Sequence, residues 1–195
     1  MDAELLDRRP VVVALAGPNG AGKSTFFEAF LQPAALRFVN ADAITKELSM
    51  DAYAAAELAA SIREELLARG ESFIFETVLS DPVGEKVAFL KKAAEQGYTV
   101  IFCFIGLDSA EQSDERVAIR VSQGGHDIPT DKLLARYPRT LANLARAIRS
   151  LPLVFIYDNG NLAEPFRLVA EYRNGERRKM REPMPEWLRE VTKSE

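Results

Sequence analysis

Short apolar runs alternate along the chain with longer stretches in which apolar residues recur at helical spacing. The apolar runs predict β-strands at residues 11–16, 36–40, 72–77, 98–107 and 153–157. The run at 98–107 is almost continuously apolar, which is typical of a parallel strand buried on both faces. Strands that alternate with helices in this way predict a parallel sheet sandwiched between helical layers.

The stretches between the strands predict helices with clear end signals. Helices are expected just after residue 23 and at residues 51–69, 82–96, 110–122 and 130–151. Gly70 and Gly97 end two of them, and Pro138 is expected to split or kink the last. The segment 123–129 is too polar and glycine-rich for a core element, so it predicts a loop between two helices.

The last part of the chain has a different pattern. Residues 166–173 alternate apolar and polar side chains, and Asn174 and Gly175 form a strong turn signal. Residues 176–181 then form the returning strand. We therefore expect an antiparallel hairpin, followed by a short helix that packs through Trp187. The predicted fold class is α/β with three layers and a mostly parallel five-stranded sheet. A helical lid at about 110–150 and a C-terminal hairpin and tail at about 164–195 complete one domain over residues 1–195.

The first apolar run leads into a glycine-rich segment that fits the pattern G-x-x-x-x-G-K-[ST]. Its residues, all expected to bind the nucleotide, are Gly17, Pro18, Asn19, Gly20, Ala21, Gly22, Lys23, Ser24 and Thr25. Glycines let several backbone N–H groups converge on a polyphosphate. Lys23 is expected to reach the β- and γ-phosphates, and the Ser24 hydroxyl to complete a Mg²⁺ shell. The segment therefore predicts a site for ATP or GTP with Mg²⁺.

Other features of the sequence narrow the class of nucleotide-binding protein. The sequence of the glycine-rich segment is one that transporter-type ATPases favour. However, the chain has no Ser-Gly-Gly-Gln-like signature and no apolar strand that ends in Asp-Glu. The Asn-Lys-x-Asp sequence with which GTPases recognise the base is also absent. These absences argue against a transporter-type ATPase and against a GTPase.

Two carboxylates stand where a phosphotransferase needs them. Transfer of a phosphate to an alcohol requires a carboxylate that accepts the hydroxyl proton. In a doubly wound sheet the working residues follow the carboxyl ends of strands, where Asp42 and Glu76 are found. Asp42 is a candidate base or Mg²⁺ ligand, and it is also placed to cap the next helix. Glu76 is either a plain strand end or part of the site, and a site role is favoured because a carboxylate after Phe-Ile-Phe is costly unless it is used or paired.

Arginines of the predicted lid are candidates for neutralising the transferring phosphate. Arg116 and Arg120 lie four residues apart on one helix face, and Arg136 follows the hinge at Gly124 and Gly125. Under the lid hypothesis these side chains close over the phosphate and exclude water.

The alternative is an ordinary solvated helix face. In that case Arg116 pairs with the neighbouring Asp114 or Glu115. His126 is either a lid contact or a simple loop residue, and as the only histidine it excludes a multi-histidine metal site.

The bulk properties of the chain bear on partners and location. A net charge of −4 and a pI near 5.3 argue against nonspecific nucleic-acid binding. The single cysteine, Cys103, lies in an apolar run and is expected to be buried packing. No signal peptide or membrane-length apolar run is recognisable, so a cytoplasmic protein with no membrane contact is expected. A small-molecule substrate is expected as well.

Several motifs together resemble the zeta-toxin-like P-loop kinases. They are Ala-Gly-Pro-Asn-Gly-Ala-Gly-Lys-Ser-Thr at 16–25, Val-Asn-Ala-Asp at 39–42, Phe-Glu-Thr at 75–77, Gly-Tyr-x-Val at 97–100, Arg-Val-x-x-Arg at 116–120, Gly-Gly-His-Asp-Ile-Pro at 124–129 and Tyr-Asp-Asn at 157–159. The resemblance covers residues 11 to about 160 and is strongest to the short, stand-alone bacterial branch. It implies a P-loop kinase fold that uses ATP or GTP with Mg²⁺.

Carried over by motif, the resemblance implies roles for individual residues. Lys23 and Ser24 take the phosphates and Mg²⁺, Asp42 matches the catalytic base, and Arg116 matches a lid arginine that neutralises the phosphates. The residues assigned to acceptor binding are Asn40, Glu76, Thr77, His126 and Arg136. The second lid arginine of the family has three candidates here, which are Arg120, His126 and Arg136.

The resemblance also suggests a reaction. The better-known members phosphorylate the 3′-hydroxyl of the amino sugar in UDP-N-acetylglucosamine, so we expect a kinase acting on that or a related sugar nucleotide. The alternatives are a nucleoside or polynucleotide kinase, or a nucleotide-binding toxin or switch that a protein partner controls. An antitoxin is the protein partner that the resemblance implies.

Overall fold

The protein, described by a computed structural model over residues 3–124 and 128–193, is built on one seven-stranded sheet. The strands are β1 (Val11–Ala16), β2 (Arg37–Val39), β3 (Phe73–Thr77), β4 (Thr99–Gly106), β5 (Leu153–Asp158), β6 (Arg167–Arg173) and β7 (Glu176–Met180). Their order across the sheet is β2-β3-β1-β4-β5-β6-β7. The pairs among the first five strands are parallel, and β6 and β7 are antiparallel additions at one edge.

The helices lie between and after the strands. They are α1 (Lys23–Phe26), α2 (Ala41–Leu48), α3 (Ala52–Ala68), α4 (Glu85–Glu95), α5 (Ala110–Ser122), α6 (Thr130–Ser150) and α7 (Glu186–Thr192). A π-helical turn at Phe27–Leu31 and a 3₁₀ turn at Gln32–Ala34 continue α1, and another 3₁₀ turn covers Ala3–Asp7. In the parts of the chain that the structure describes, no helix is both long and apolar enough to cross a membrane.

Both faces of the sheet are covered, which gives the predicted three layers. Alternate side chains of a strand point to opposite faces. In β1, Val12 and Ala14 join a core cluster with residues of α3, α4, α6 and α7, whereas Val11 and Val13 join a second cluster with Phe26 of α1. All six residues of β1 are buried, as expected for a parallel strand between two helical layers.

The sheet has more strands than the five expected from the sequence. The hairpin does form, but it is not separate from the sheet, because β6 pairs antiparallel with the open edge of β5. The register runs from Leu153 opposite Arg173 to Asp158 opposite Arg167. Helix α7 then packs over this end, with Trp187 only 3% exposed and its ring 5.8 Å from that of Phe104. The packing role predicted for Trp187 is confirmed.

Two further expectations have clear outcomes in the fold. Pro138 does not split its helix, since α6 continues through it from Thr130 to Ser150. A proline removes one backbone hydrogen bond, and the buried residues of α6, among them Leu144 and Ile148, hold the two halves against the sheet. Cys103 is fully buried in β4, and burial raises the pKa of its thiol to about 12. It is a packing residue, as predicted.

Candidate functional site

The glycine-rich segment after β1 forms a tight loop whose backbone requires glycine. Gly17 has φ +146°, and a Cβ atom there would lie 2.2 Å from the carbonyl oxygen of Ile105 in β4. Gly22 has φ +85° and forms the N-cap of α1. Side-chain-bearing residues rarely adopt either conformation. The loop therefore has the shape that the sequence motif predicted, with α1 starting at Lys23.

Two side chains outside the motif fasten this loop to the rest of the protein. The Ser113 hydroxyl of α5 donates a hydrogen bond of 2.6 Å to the Asn19 carbonyl. The buried Asn159 amide, just after β5, donates one of 2.9 Å to the Ala21 carbonyl. Neither residue was proposed as a site residue from the sequence. The available signal for Asn159 was its position directly after an apolar strand, where functional residues collect.

Lys23 lies against the loop with its ammonium group almost completely buried. Its Nζ donates hydrogen bonds of 3.0 Å to the carbonyls of Gly17 and Pro18, and it lies 3.7 Å from Glu76 Oε1. Burial lowers the pKa of Lys23, while the negative charges of Glu76 and Asp42 act in the opposite direction. A buried ammonium is stable only with such partners. Lys23 is thus held where it can contact a phosphate group in the loop.

Glu76 is the side chain that connects the loop with the neighbouring strand ends. The register of β1 and β3 places Leu15 opposite Glu76, one residue before both strands end. Glu76 Oε2 accepts a hydrogen bond of 3.4 Å from the Ser24 hydroxyl and one of 3.0 Å from Asn40 Nδ2. Its carboxylate is therefore paired rather than left as a plain strand end.

Asn40 links Glu76 to the start of α2. Its Oδ1 accepts hydrogen bonds from the backbone N–H groups of Asp42 and Ala43 at 2.8 and 3.3 Å, so Asn40 is the N-cap of this helix. The alternative in which Asp42 caps the helix is wrong, because Asp42 lies in the first helical turn. Its side chain is exposed, and its charge acts on Lys23. Asp42 is therefore available for chemistry.

The two lid arginines of α5 are placed differently from one another. Arg116 donates hydrogen bonds to the carbonyls of Asn159 and Gly160, at 2.7 and 3.2 Å. The carboxylates that act on its guanidinium are Asp108 and Asp158, rather than the adjacent Asp114 and Glu115. Arg116 therefore anchors α5 to the loop after β5.

Arg120 lies one helical turn beyond Arg116 and is exposed. Its positive charge adds to the effect of burial in lowering the pKa of Lys23.

The remaining sequence-predicted residues are not brought to Lys23 by the described contacts. Thr77 Oγ1 accepts a hydrogen bond of 3.0 Å from the Leu79 amide, which makes it part of the turn after β3. Arg136 is half-buried on α6. His126, predicted as a lid or substrate contact, lies outside the described residues. Helices α5 and α6 are tied together by a 2.9 Å hydrogen bond from the Thr130 hydroxyl to Asp114.

The segment that follows Glu76 and Thr77 is fixed by α6. The buried Thr140 hydroxyl donates to the Val78 carbonyl, and the buried Asn143 amide donates to the carbonyls of Leu79 and Asp81, at 2.8–2.9 Å. No local pattern predicts these hydrogen bonds, because both donors lie more than sixty residues further along the chain.

Comparisons with known proteins agree with this architecture. The model of the family described as AAA domain matches residues 12–137, well over half of the chain. No curated protein sequence matches. Sixty-six chains of solved structures match, and three proteins among them are informative.

The AvrRxo1-ORF1:AvrRxo1-ORF2 structure with sulphate ions has a TM-score of 0.74 and 18% identity, covering 97% of this chain and 66% of that chain. The structure of the same pair with ATP has a TM-score of 0.67 and 19% identity, covering 98% of this chain and 66% of that chain. The structure of the PezAT chromosomal toxin-antitoxin system of Streptococcus pneumoniae has a TM-score of 0.54 and 18% identity, covering 77% of this chain and 69% of that chain. The structure of a putative kinase from Chloroflexus aurantiacus has a TM-score of 0.53 and 20% identity, covering 80% of this chain and 92% of that chain.

These matches confirm the fold and the resemblance on which the expectation rested. The chain spans about two thirds of the AvrRxo1 chain and most of the putative kinase. At these identities, the shared feature is the fold of P-loop kinases.

Proposed function

The chain belongs to the AAA domain family, and from its site we propose that it is a kinase that transfers the γ-phosphate of ATP or GTP to a hydroxyl group of a small molecule. The observation that carries this proposal is the cluster of Lys23, Ser24 and Glu76, in which one carboxylate contacts both a buried ammonium and a hydroxyl of the phosphate loop. The ATP in one AvrRxo1 structure and the kinase description of the Chloroflexus protein support it.

The donor atoms at this point suit Mg²⁺. Ser24 Oγ and the Glu76 carboxylate lie 3.4 Å apart, and both are oxygen donors of the kind that this hard cation prefers. Ser24 would bind the ion directly, and Glu76 would hold it directly or through a water molecule. When bound, Mg²⁺ neutralises charge on the β- and γ-phosphates.

We assign the proton-accepting role to Asp42. In the proposed step, the acceptor oxygen forms a bond to the γ-phosphorus, the bond to the β,γ-bridging oxygen breaks, and a nucleoside diphosphate leaves. The hydroxyl proton passes to the Asp42 carboxylate. Support comes from the exposure of Asp42, from its charge beside Lys23, and from Asn40, which fixes the start of its helix next to Glu76.

The charge of the transferring phosphate is neutralised by Lys23 and Arg120. This assignment rests on Lys23 at the loop and on the action of the Arg120 charge on Lys23. Arg116 is a positioning residue in this proposal, since its guanidinium is bonded to the loop after β5. Arg136 and His126 stay candidates for acceptor contacts.

The acceptor is proposed from the sequence resemblance to be UDP-N-acetylglucosamine or a related sugar nucleotide. This proposal is supported by the position of Asn40, Glu76 and Thr77 at the carboxyl ends of the neighbouring strands β2 and β3. The test is incubation of the purified protein with Mg-ATP or Mg-GTP and a panel of sugar nucleotides, nucleosides and polyols, with phosphorylated products identified by mass spectrometry. Transfer to no member of a broad alcohol panel would overturn the kinase proposal.

A second candidate is a nucleotide-binding protein that a protein partner holds inactive. It is favoured by one finding, that two structural relatives are an ORF1:ORF2 pair and a toxin-antitoxin system. This alternative predicts nucleotide binding with turnover at the background rate. A rate that rises on addition of an acceptor separates the first candidate from it.

A further inference from the structure

Two carbonyl groups of the phosphate loop accept hydrogen bonds from side chains that lie far away in the sequence. The Ser113 hydroxyl of α5 donates to the Asn19 carbonyl at 2.6 Å, and the Asn159 amide donates to the Ala21 carbonyl at 2.9 Å. Ser113 is 2% exposed and Asn159 is 5% exposed, so both donors are shielded from water. Loss of either donor leaves a loop carbonyl without its hydrogen bond.

The hydrogen bond from Ser113 fixes the direction of the Gly20 N–H group. The peptide bond between Asn19 and Gly20 is trans, and in a planar trans peptide the carbonyl oxygen and the N–H point in opposite directions. A Cβ atom on Gly20 would lie 2.9 Å from the Cβ of Arg116 and 3.0 Å from the Ser113 carbonyl oxygen. This peptide therefore lies directly on α5, with its carbonyl bonded to Ser113 and its N–H on the opposite side.

Asn159 has the same relationship to Gly22. Its Nδ2 donates to the Ala21 carbonyl, and a Cβ atom on Gly22 would lie 2.9 Å from this nitrogen. The orientation of the amide is fixed, because its Oδ1 accepts a hydrogen bond of 3.3 Å from the Phe166 N–H. The peptide bond between Ala21 and Gly22 is also trans, so the Gly22 N–H points away from Asn159.

The two supporting side chains belong to one connected frame. Arg116, three residues after Ser113 on α5, donates a hydrogen bond of 2.7 Å to the Asn159 carbonyl. The Asn159 N–H donates one of 3.0 Å to the carbonyl of Gly106, the last residue of β4. The frame thus joins α5, the segment after β5 and the end of β4 behind the phosphate loop.

We infer that Ser113 and Asn159 are positioning residues that aim the N–H groups of Gly20 and Gly22 at the phosphates of the donor. The inference rests on the proposed function, because the donor's phosphates must lie in the loop. Within the described part of the chain, neither N–H donates a hydrogen bond to another protein group. Successive backbone N–H groups form anion-binding concavities, and donors that are held in place before the anion binds need no reorganisation.

Titration of Mg-pyrophosphate into protein labelled with ¹⁵N-glycine follows these two N–H groups among the eleven glycines of the chain. A charge-assisted hydrogen bond to a phosphate is expected to move the amide proton signal to lower field. In the wild type, the signals of Gly20 and Gly22 should both shift. Ser113→Ala should reduce the shift of Gly20 and leave that of Gly22, and Asn159→Ala should do the reverse. Each substitution should weaken pyrophosphate binding by about 2- to 10-fold.

Ser122→Ala is the matched control, because the Ser122 hydroxyl lies on the same helix and donates to the Ile119 carbonyl within α5. It should reproduce the glycine shifts and the affinity of the wild type. Wild-type shifts at both glycines in Ser113→Ala would overturn the positioning role. Equal losses at both glycines in each variant would also overturn it, because they indicate general loosening of the loop. If Asn159→Ala does not fold, the result for Ser113→Ala decides.

Phosphate transfer, measured on the same protein samples, separates this inference from the proposed function. Transfer by the wild type together with unchanged glycine shifts in Ser113→Ala would overturn the positioning role alone. The expected glycine shifts without transfer to any alcohol would overturn the kinase proposal alone. A wild type that neither binds pyrophosphate nor transfers phosphate would overturn both.

Discussion

The Glu76 carboxylate accepts a hydrogen bond from the Ser24 hydroxyl at 3.4 Å, although fifty-two residues separate the two positions in the chain. The contact exists because β1 and β3 are parallel neighbours whose carboxyl ends coincide. Ser24 follows the loop after β1, and Glu76 is the next-to-last residue of β3. This pair, with Lys23, is the donor half of the proposed phosphotransferase.

Replacing Glu76 by glutamine tests the role of this carboxylate. Glu76→Gln keeps a similar shape but removes the charge opposite Lys23 and the anionic oxygen beside Ser24. We expect the apparent Mg²⁺ requirement to rise by about 10- to 100-fold. Transfer rates measured across a Mg²⁺ titration check this. Glu65→Gln, at an exposed pair with Arg69, is the control and should behave as the wild type. An unchanged Mg²⁺ requirement in Glu76→Gln would remove Glu76 from the metal site.

Replacing Asp42 by asparagine tests the proposed base. The amide cannot accept the hydroxyl proton, so kcat should fall by about 10²- to 10⁴-fold while ATP affinity stays within about twofold of the wild type. The readout is steady-state transfer together with nucleotide binding. Asp51→Asn is the matched control, because Asp51 caps α3 and asparagine caps equally well. Retained transfer in Asp42→Asn would require another base.

The two lid arginines are expected to respond differently to substitution. Arg120→Ala should lower kcat by about a hundredfold or more through loss of charge at the phosphate, with little effect on unfolding. Arg116→Ala should lower the free energy of unfolding by about 1–3 kcal/mol, because it removes hydrogen bonds from a guanidinium to the Asn159 and Gly160 carbonyls. Urea unfolding and kcat measured on both variants check the assignment. If Arg116→Ala lowered kcat at unchanged stability and Arg120→Ala lowered the free energy of unfolding, the two roles would have to be exchanged.

Asp108 makes the free energy of unfolding depend on pH in a predictable direction. Partial desolvation and the charge of Asp158 raise the pKa of the exposed Asp108 side chain above its usual value of 3.8, and Arg116 offsets this in part. The folded protein therefore holds this proton more tightly than the unfolded chain does. The resulting stabilisation is complete below the usual pKa and is lost as pH rises through the raised value.

It follows that Asp108→Asn should be more stable than the wild type at pH 7, and that the difference should shrink as pH falls toward 4. Urea unfolding at several pH values is the measurement. Glu57→Gln, at an exposed position of α3, should show no such trend. A wild type more stable than Asp108→Asn at neutral pH would show that the charge is favourable where it stands.

Local patterns predicted the strands, the phosphate loop and the position of Glu76, since each depends on neighbouring residues or on the rule that working residues follow strand ends. Contacts between distant parts of the chain were not predictable in this way. Asn40 rather than Asp42 caps α2, and Arg116 reaches Asn159 rather than its neighbouring acids. The hairpin joined the sheet because the β5 edge was open, which no local pattern records. The single domain over residues 1–195 and the chemical roles of the site residues stay predictions.

The most direct measurement follows γ-labelled ATP incubated with the protein, Mg²⁺ and a mixture of small-molecule alcohols that includes sugar nucleotides. The account predicts that label appears in one organic phosphate product, in equal amount to the nucleoside diphosphate formed, and that Asp42→Asn abolishes both. Release of label only as inorganic phosphate, or equal product from the wild type and Asp42→Asn, would contradict it.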